Sequence, residues 1–543
     1  MPNEYQKDGD IAFIGLNSRD NPSALPQGIV SKSQNFRLDR GVATVRKGMQ
    51  RKTIGAIVGQ VIYGVGTYID NTGQEIIICV VTDGLYKYHP QTETLSAKIS
   101  FPAGETITTQ DGCDVVAAMD KVYISRGRAK RPLEWDVTTV TITALPSSAG
   151  TGHEFPSSTG LLYYANRMIA LGSHHTVTTT ERDYDTVSVS NFLDFYNWDA
   201  VDAFTINSGS NDQVVGVAPW TLNEFLVFMR NSIFYINVGD DRYATGNGLS
   251  ATSYIKTLAT DIGCSARKSV VQAGGGVFFL SDNGVYFLQP QPASAESMKL
   301  LTMADPISSP IDDVIQRINR TYAHRAVATY WNNRYYLAVP LDSSVDNNAV
   351  LVYNFILKQW ESVDTYPAGF DIFAFVIAKK DNKRRLFGID TDQGVFLMEQ
   401  LNWDEYQDWA VGDPNAGTPI LPFYLPSTLT TSSFPQNAVN SILKTRRYSF
   451  NSIGDKRYST IETEIVCDAG SQVLTTAETF NPDTVTNIDT FGSEFTEDTA
   501  RRIPIRKIGT GLQVQYTSTN LRPSIRSAYV YATMQKQNNT SKQ

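Results

Sequence analysis

Short runs of apolar residues, many of them alternating with polar ones, follow one another along most of this chain. The runs are rich in β-branched and aromatic residues and end at Gly, Asp-Gly or Asn-Gly turns. Alternation with a period of two is typical of half-buried β-strands, and tight turns join such strands into hairpins. The pattern predicts an all-β fold. Helical spacing is best at Pro310–Arg320, where Ile311, Val314, Ile315 and Ile318 share one face.

A hairpin motif recurs between about residue 55 and residue 400. Three plain copies have their turns at Asp83-Gly84, Asn283-Gly284 and Gln393-Gly394, and the strand after each turn is aromatic or apolar. We expect each of these glycines to adopt a positive φ, because two-residue hairpin turns require it. Four weaker copies are centred near Trp135, Trp198, Phe234 and Tyr353.

Seven copies at intervals of roughly 50 residues fall in the range of four-stranded propeller blades. A blade cannot bury both of its faces alone, whereas radial stacking covers them. We therefore predict a β-propeller with additional β structure formed by the terminal segments. A string of β-sandwiches is the competing architecture, although no Ig-like Cys…Trp…Cys spacing is present.

The changes in composition along the chain predict four regions. The tract after about residue 400 is rich in Pro, Ser, Thr and Gly, and strand alternation resumes from Lys444. The predicted regions are an N-terminal attachment segment (1–55), the propeller (56–400), a linker or long excursion (401–443) and a C-terminal β domain packed with the N-terminal segment (444–543).

The amino-acid composition restricts the classes of function that this chain can have. The chain has 543 residues, a formal net charge of −8 and 27 Tyr, 25 Phe and 7 Trp. This composition favours a folded protein and disfavours indiscriminate binding to phosphate backbones or anionic membranes. The four cysteines are far apart and are expected to be buried thiols in a reducing compartment. We expect no membrane insertion, because no apolar run approaches the roughly 20 residues needed to span a bilayer.

Few residues in the sequence are candidates for catalysis or for binding a cofactor or a metal. No nucleophile elbow, P-loop, HExxH or dinucleotide fingerprint occurs, and the adjacent His174 and His175 would point to opposite faces of a strand. We predict no catalytic residue, cofactor or metal. The serious enzymatic alternative is a propeller glycosidase, which needs two opposed carboxylates. Its candidate acids lie beside turns, where Asp commonly caps backbone N–H groups, and are Asp83, Asp282, Asp390 and Asp392.

One basic and one aromatic segment are candidates for binding a partner. Seven basic residues stand between Val30 and Lys52 against the single acid Asp39, and Trp403 and Trp409 lie among acidic residues after the predicted propeller. Arg and aromatic residues dominate interface energetics. The predicted interface residues are Arg37, Arg40, Arg46, Lys47, Trp403 and Trp409.

The N-terminal stretch GLNSRDNPSALPQGIVSKSQNFRLDRGVATVRKGMQR resembles the opening of tail nozzle proteins of short-tailed bacteriophages. The matching elements are Asn17, Arg19, Pro22, Leu25, Pro26, Gly28, Asn35, Gly41, Arg46 and Gly48. Further phrases, VSVSNFLDFYNWDA, LNEFLVFMRNSIFYINVG and GVFFLSDNGVYFL, follow in the order found in such proteins. Together the phrases cover about half of the chain, and their order is more specific than any one of them.

The resemblance implies a β-propeller subunit of a homohexameric tube that continues the DNA-ejection channel below the portal and its adaptor ring. Such a protein catalyses no reaction, belongs to the virion tail and is assembled in the host cytoplasm. Its expected partners are copies of itself, the adaptor ring, possible tail fibres or a needle or plug, and viral DNA in passage. Two alternatives are a receptor-binding tail fibre or spike, and a propeller glycosidase that acts on host polysaccharide.

Overall fold

The computed structural model is nearly all β. It describes residues 6–52, 57, 59–110, 113–138, 141–145, 154–173, 184–199, 202–221, 223–239, 249, 252–290, 300–301, 306–367, 369–399, 407–409, 436–466, 472–481, 484–491, 499–520 and 522–534. The N-terminal segment contains seven short strands: β1 (Gln6–Asp10), β2 (Gly15–Leu16), β3 (Ile29–Val30), β4 (Lys32–Gln34), β5 (Phe36–Asp39), β6 (Val42–Val45) and β7 (Gln50–Arg51).

Seven antiparallel sheets follow in the described residues, and the first six consist of strands that are consecutive in sequence. The first three blades are β8 (Gly64–Ile69), β9 (Glu75–Val81), β10 (Gly84–His89), β11 (Thr94–Leu95) and β12 (Ile99–Ser100); β13 (Val115–Ala118), β14 (Lys121–Ile124), β15 (Leu133–Asp136) and β16 (Thr141–Ala144); and β17 (Gly160–Tyr164), β18 (Arg167–Leu171), β19 (Thr186–Val189) and β20 (Ala203–Thr205).

The fourth to seventh blades have the same up-and-down order. They are β21 (Val214–Thr221), β22 (Glu224–Met229), β23 (Ile233–Asn237) and β24 (Tyr254–Ala259); β25 (Val271–Ala273), β26 (Gly276–Ser281), β27 (Gly284–Pro290) and β28 (Leu300–Leu301); β29 (Val327–Trp331), β30 (Arg334–Val339), β31 (Ala349–Asn354) and β32 (Gln359–Thr365); and β33 (Ile372–Lys380), β34 (Lys383–Asp390) and β35 (Gly394–Leu397).

The blades form a closed ring. The first strand of each blade contacts the first strand of the next, and β33 of the seventh blade contacts β8 of the first. Strand β7, from the N-terminal segment, pairs with β35 and supplies the fourth strand of the seventh blade. The predicted β-propeller is confirmed, and all seven sequence motifs fall in different blades. The N-terminal segment therefore also belongs to the propeller.

Second strands of the blades are buried on both faces, as radial stacking requires. All six residues of β22, EFLVFM, are buried, and so are all six of β30. Strands of the terminal region alternate instead: β39 and β44 bury about every second side chain. Two-sided burial in the blades and one-sided burial in the terminal strands match a ring of stacked sheets joined to a two-sheet layer structure.

The remaining strands are β36 (Gln407–Trp409), β37 (Gln436–Ala438), β38 (Ser441–Tyr448), β39 (Lys456–Val466), β40 (Gln472–Asn481), β41 (Thr484–Phe491), β42 (Thr499–Gly509), β43 (Gly511–Asn520) and β44 (Ser524–Met534). One sheet has the order β42-β39-β44-β6-β5, with β1 also on β44, and another has the order β4-β38-β43-β40-β41. N-terminal strands thus complete both C-terminal sheets. We call these two sheets the terminal sandwich.

The helix prediction is confirmed in shortened form. A 3₁₀ turn at Ser309–Ile311 leads into α1 (Asp312–Gln316), which buries Val314 and Ile315. Two more 3₁₀ turns lie at Arg267–Ser269 and Ala323–Arg325.

The turn prediction is correct at two glycines and wrong at the third. Gly284 and Gly394 have φ values of 136° and 93°, whereas Gly84 is not among the residues with positive φ. A Cβ atom at Gly84 would lie 2.5 Å from the carbonyl oxygen of Ile99, so a close approach between strands explains the glycine there.

Candidate functional site

The terminal sandwich is joined to the sixth blade by a buried ion pair. Arg37, on β5, donates from Nη1 and Nη2 to the two carboxylate oxygens of Asp364 at 3.1 and 2.6 Å, and Nη2 also donates to Glu399. The Arg37 and Asp364 side chains are 6% and 0% exposed. Burial lowers the pKa of Arg37, but Asp364 and Glu399 outweigh this effect and hold its pKa well above the usual value.

Arg46 makes a second tie across the same boundary. Its Nε donates to the Asn35 side chain at 3.0 Å, its Nη2 donates to the Thr365 carbonyl at 3.0 Å, and its guanidinium lies 4.4 Å from the ring centre of Tyr366. Asn35 has a φ of 60° and donates to the carbonyl of Asn440 as well. Asn35, whose backbone has the left-handed conformation, thus connects three segments that are remote in sequence.

A third tie joins β5 to blade six. Arg334 donates to Asp39 at 2.7 Å and, through Nε, to Glu361 at 2.7 Å. One hydrophobic cluster also runs without a break from the sandwich into blades five and six, and Trp360 is fully enclosed in it. We call this set of polar ties and apolar contacts the sandwich–propeller junction.

The predicted basic docking patch needs correction. Arg37 and Arg46 are 5% and 1% exposed and bind acceptors of their own chain, so they stabilise the junction and do not form an exposed basic surface. Arg40 is exposed at the β5–β6 turn, and Lys47 is half-buried with its N–H donating to Glu399. Trp409 ends β36, which pairs with β37, and Trp403 lies outside the described residues.

A second polar cluster closes the ring between blades seven and one. Glu93, after β10, accepts from Lys52 at 2.9 Å and from Lys380 at the end of β33. The guanidinium of Arg51, on β7, donates to the backbone carbonyl and to the side-chain amide oxygen of Gln393, both at 3.2 Å. These contacts hold the short strand β7 against the rest of the ring.

A cavity of about 600 Å³, open to solvent on one side, lies at the end of the ring where the first strands of the blades begin. Up-and-down blades bring the start of strand one and the turn between strands two and three to the same end, so loops from many blades converge there. Blades two to seven each contribute, through Gln110, Thr159, Gln213, Arg267, Val327 and Ile372. We call this space the rim cavity.

The rim cavity is basic. Its lining includes Arg230, Arg267, Lys268, Arg320 and Arg325, against the single acid Asp346. Arg267 bonds Asp114 at 2.6 Å, Arg230 bonds Asp282 at 2.8 Å and Arg325 bonds Asp346 at 2.7 Å. The arginine side chains in these pairs are 18%, 35% and 37% exposed, so all three remain in contact with water.

Three of the four glycosidase candidate acids lie in turns, and Asp390 ends strand β34 beside one. Asp83 pairs with Lys98 at 2.6 Å and Asp282 pairs with Arg230. Asp390 accepts the N–H groups of Asp371, Asp392 and Gln393, and burial raises its pKa to about 7 although these hydrogen bonds oppose the change. Asp392 accepts from the side-chain amide of Gln393 at 2.8 Å, so the bonds of all four carboxylates are to nearby turn or side-chain donors.

Cys79, Cys113 and Cys264 are buried, as predicted, and burial raises the pKa of these thiols to about 12, 12 and 11. Cys467 and the His174–His175 pair lie outside the described residues. Within the described part of the chain, no group of three or more His, Cys, Asp or Glu side chains is arranged to hold a metal ion. No helix in that part is long and apolar enough to cross a bilayer.

Sequence reasoning missed the rim cavity because its cations are scattered. Arg230, Arg267 and Arg320 belong to different blades or connections and stand in no basic run. The position of these cations in the strand pattern is the signal that could have revealed the cavity. Each cation lies just before the first strand of a blade or in the turn between its second and third strands. Aligning the seven motifs by strand would have placed them at one end of the ring.

No protein-family model and no curated protein matches the chain. Among solved structures, the WD40 repeats of RRP9 are similar at 9% identity, with 65% of this chain and 99% of that chain covered and a TM-score of 0.39. The extracellular domain of a hybrid two-component system from B. thetaiotaomicron is similar at 9% identity, with 93% and 62% covered and a TM-score of 0.41.

These likenesses are too distant to carry an argument about function. The fold rests on the strand topology, which defines a seven-bladed β-propeller. The same topology shows that a terminal sandwich made from both ends of the chain is attached to the sixth blade.

Proposed function

We propose that this chain is a subunit of the tail nozzle of a short-tailed bacteriophage. In this role, six copies form a tube below the portal and adaptor ring, and the tube continues the channel through which DNA leaves the capsid. The observation that carries the proposal is the sandwich–propeller junction, where a continuous hydrophobic core and the bonds made by the buried side chains of Arg37, Arg46 and Arg334 make one stiff body. The proposal is also supported by the resemblance of the N-terminal stretch and the later phrases to tail nozzle proteins, and by the order in which these phrases follow one another.

Stiffness matters because a ring subunit has to transmit force without changing shape. Interfaces between independent domains within a chain are usually polar and permit relative motion, whereas a large apolar interface does not. The junction belongs to the second kind, since blade six, the N-terminal strands and both sandwich sheets share one core.

The surface that meets neighbours is best sought on the sandwich. In the sheet orders of the described residues, β41 and β42 are terminal strands, and terminal strands present backbone groups to possible partners. A ring also requires two different complementary patches on each subunit. Arg40, Lys47, Trp403 and Trp409 stay predicted interface residues, and fibres or a needle are further possible partners of the assembled tube.

The net charge of −8 is compatible with a DNA conduit. Acidic residues facing a lumen repel phosphate, whereas a basic lining would bind it through counterion release and slow its passage. In this proposal the rim cavity belongs to the interior of each subunit and not to the sixfold lumen. The protein is made in the host cytoplasm and acts in the virion tail.

The test is negative-stain microscopy with class averaging on the purified chain, alone and mixed with portal–adaptor complexes of the same virus. Sixfold rings with a central hole in either sample are expected. Alanine at Trp403 or Trp409 should reduce the fraction of rings, whereas alanine at the exposed Lys98 of blade one should leave it unchanged.

Two results would contradict the proposal. Threefold particles that ignore the connector would indicate a spike. Cleavage of purified polysaccharides, lost in Asp282→Asn or Asp392→Asn, would indicate a glycosidase.

A further inference from the structure

The rim cavity has no part in the proposed role in the tail, yet it has the properties of a ligand site. Its volume of about 600 Å³ lies within the ~300–1,000 Å³ of small-molecule pockets. The walls are mixed, with Phe373, Val214 and Ile372 beside basic side chains. We propose that this cavity binds a small ligand through a phosphate group.

The charge balance favours an anion. Five cations line the cavity, and three aspartates, Asp114, Asp282 and Asp346, pair with three of the arginines. Basic side chains thus outnumber acidic ones among the residues that line the cavity. A phosphate monoester carries about −1.5 to −2 charges at neutral pH and suits a lining of this sign.

The type and placement of the cations favour phosphate. Guanidinium groups offer several N–H donors in a rigid fork that fits phosphate oxygens, and a lysine ammonium adds a compact point charge. Arg267 uses Nη1 for Asp114 and the Thr159 carbonyl while its side chain still lines the cavity. The Lys268 ammonium lies 4.2 Å from the ring centre of Phe373, which also lines the cavity.

Arg320 completes the basic side of the cavity. It is exposed, and its Nη2 makes a 3.4 Å bond to the Ile315 carbonyl at the end of α1. Lys268 and Arg320 come from the connections that lead into blades five and six, so a ligand held by both would bridge two neighbouring blades. Binding should therefore also raise the thermal stability of the ring.

The test uses the full-length chain and isothermal titration calorimetry at constant ionic strength with three probes: inorganic phosphate, glucose 6-phosphate and glucose. Both phosphates should bind, glucose should not, and both phosphates should raise the melting midpoint. Tighter binding of glucose 6-phosphate would identify an organic phosphate as the preferred source, and equal binding would identify the free ion. Absence of binding by both phosphates, or equal binding of glucose, would overturn the proposal.

Variants locate the site. The double variant Lys268→Ala/Arg320→Ala should weaken phosphate binding at least tenfold, and the exposed single variant Arg320→Gln should weaken it severalfold without a change in circular dichroism. Lys98→Ala is the matched control, because it removes one exposed cation in blade one, outside the cavity. Equal weakening in Lys98→Ala and Arg320→Gln would show unspecific attraction and would overturn the assignment.

Discussion

The junction and the rim cavity are both built around arginine–carboxylate pairs, but they differ in what surrounds the pairs. At the junction, the side chains of Arg37 and its partner Asp364 are 6% and 0% exposed, and Arg334, which is 7% exposed, binds the buried Glu361 of its own blade as well as the exposed Asp39 of β5. At the cavity, the paired arginines are 18–37% exposed. Buried ion pairs hold segments of the chain together, whereas ion pairs in contact with water remain able to exchange partners. A high density of basic residues in sequence therefore does not by itself locate a binding surface.

The largest loss of stability is expected for Arg37→Ala. The substitution leaves Asp364 and Glu399 at the junction without their cation, which costs about 3–5 kcal/mol when a buried pair loses one partner. Urea denaturation should show this loss in the free energy of unfolding. Arg40→Ala, which removes an exposed arginine of the adjacent turn, should change it by no more than about 0.5 kcal/mol.

A double variant measures the coupling between Arg37 and Asp364. Arg37→Met with Asp364→Asn should cost clearly less than the sum of the two single substitutions, because the double variant removes the ionic partners together. Additive losses would mean that the ion pair does not couple β5 to blade six.

Arg46→Lys should have the next largest effect, about 2 kcal/mol. A lysine cannot reproduce the fork that bonds Asn35 and Thr365, nor the flat contact with Tyr366. The measurement is again urea denaturation, with Arg40→Lys as the matched exposed substitution. Equal midpoints for the two variants would contradict the assigned role of Arg46.

Stability should depend on pH through the buried Asp390. Its pKa is raised to about 7 in the folded chain from 3.8, so the folded state holds its proton where the unfolded state has lost it. A raised carboxyl pKa makes the protein less stable as pH rises above the unfolded value, and the loss ends above the folded value. Between pH 6 and pH 8 the free energy of unfolding should fall by about 1 kcal/mol from this group.

The pH effect has a direct control. The slope between pH 6 and pH 8 should become smaller in Asp390→Asn and should persist in Asp282→Asn, because Asp282 is about half exposed. An unchanged slope in Asp390→Asn would assign the effect to another group.

The smallest effect is expected at the cavity. Arg230→Ala should lower the free energy of unfolding by less than about 1 kcal/mol, since Arg230 and Asp282 are 35% and 48% exposed and water screens the pair. Thermal and urea denaturation should both show this small change. A loss as large as that of Arg37→Ala would mean that the cavity arginines are structural in the same sense as the junction arginines.

The fold was predictable because its signals are local. Alternation of apolar residues identified the strands, and the seven motifs each fell in one blade. Glycine is nevertheless not required at every hairpin turn of the propeller. Blades two, three, six and seven turn from strand one to strand two through pairs without glycine, in which both residues have positive φ: Met119-Asp120, Ala165-Asn166, Asn332-Asn333 and Asp381-Asn382.

The junction and the ring closure were not predictable because they depend on contacts between distant segments. The two residues of β7 carry no pattern of their own, and only their pairing with β35 makes them a blade strand. Likewise, nothing local distinguishes Arg37, which is buried against Asp364, from Arg40, which is exposed three residues later. Burial of a charged side chain is decided by the partner that the fold brings to it.

The pairing of β7 with β35 has a consequence for biosynthesis. Strand β7 leaves the ribosome before any complete blade exists, and its partner is made only after the other six blades. Strands β1, β4, β5 and β6 can join their sheets only later still, because those sheets are completed by strands from β38 to β44. Such long-range pairing makes folding slow and leaves apolar strands exposed on the nascent chain. A prematurely terminated product would lack both closures and present these strands to chaperones and proteases, so only finished chains would enter assembly.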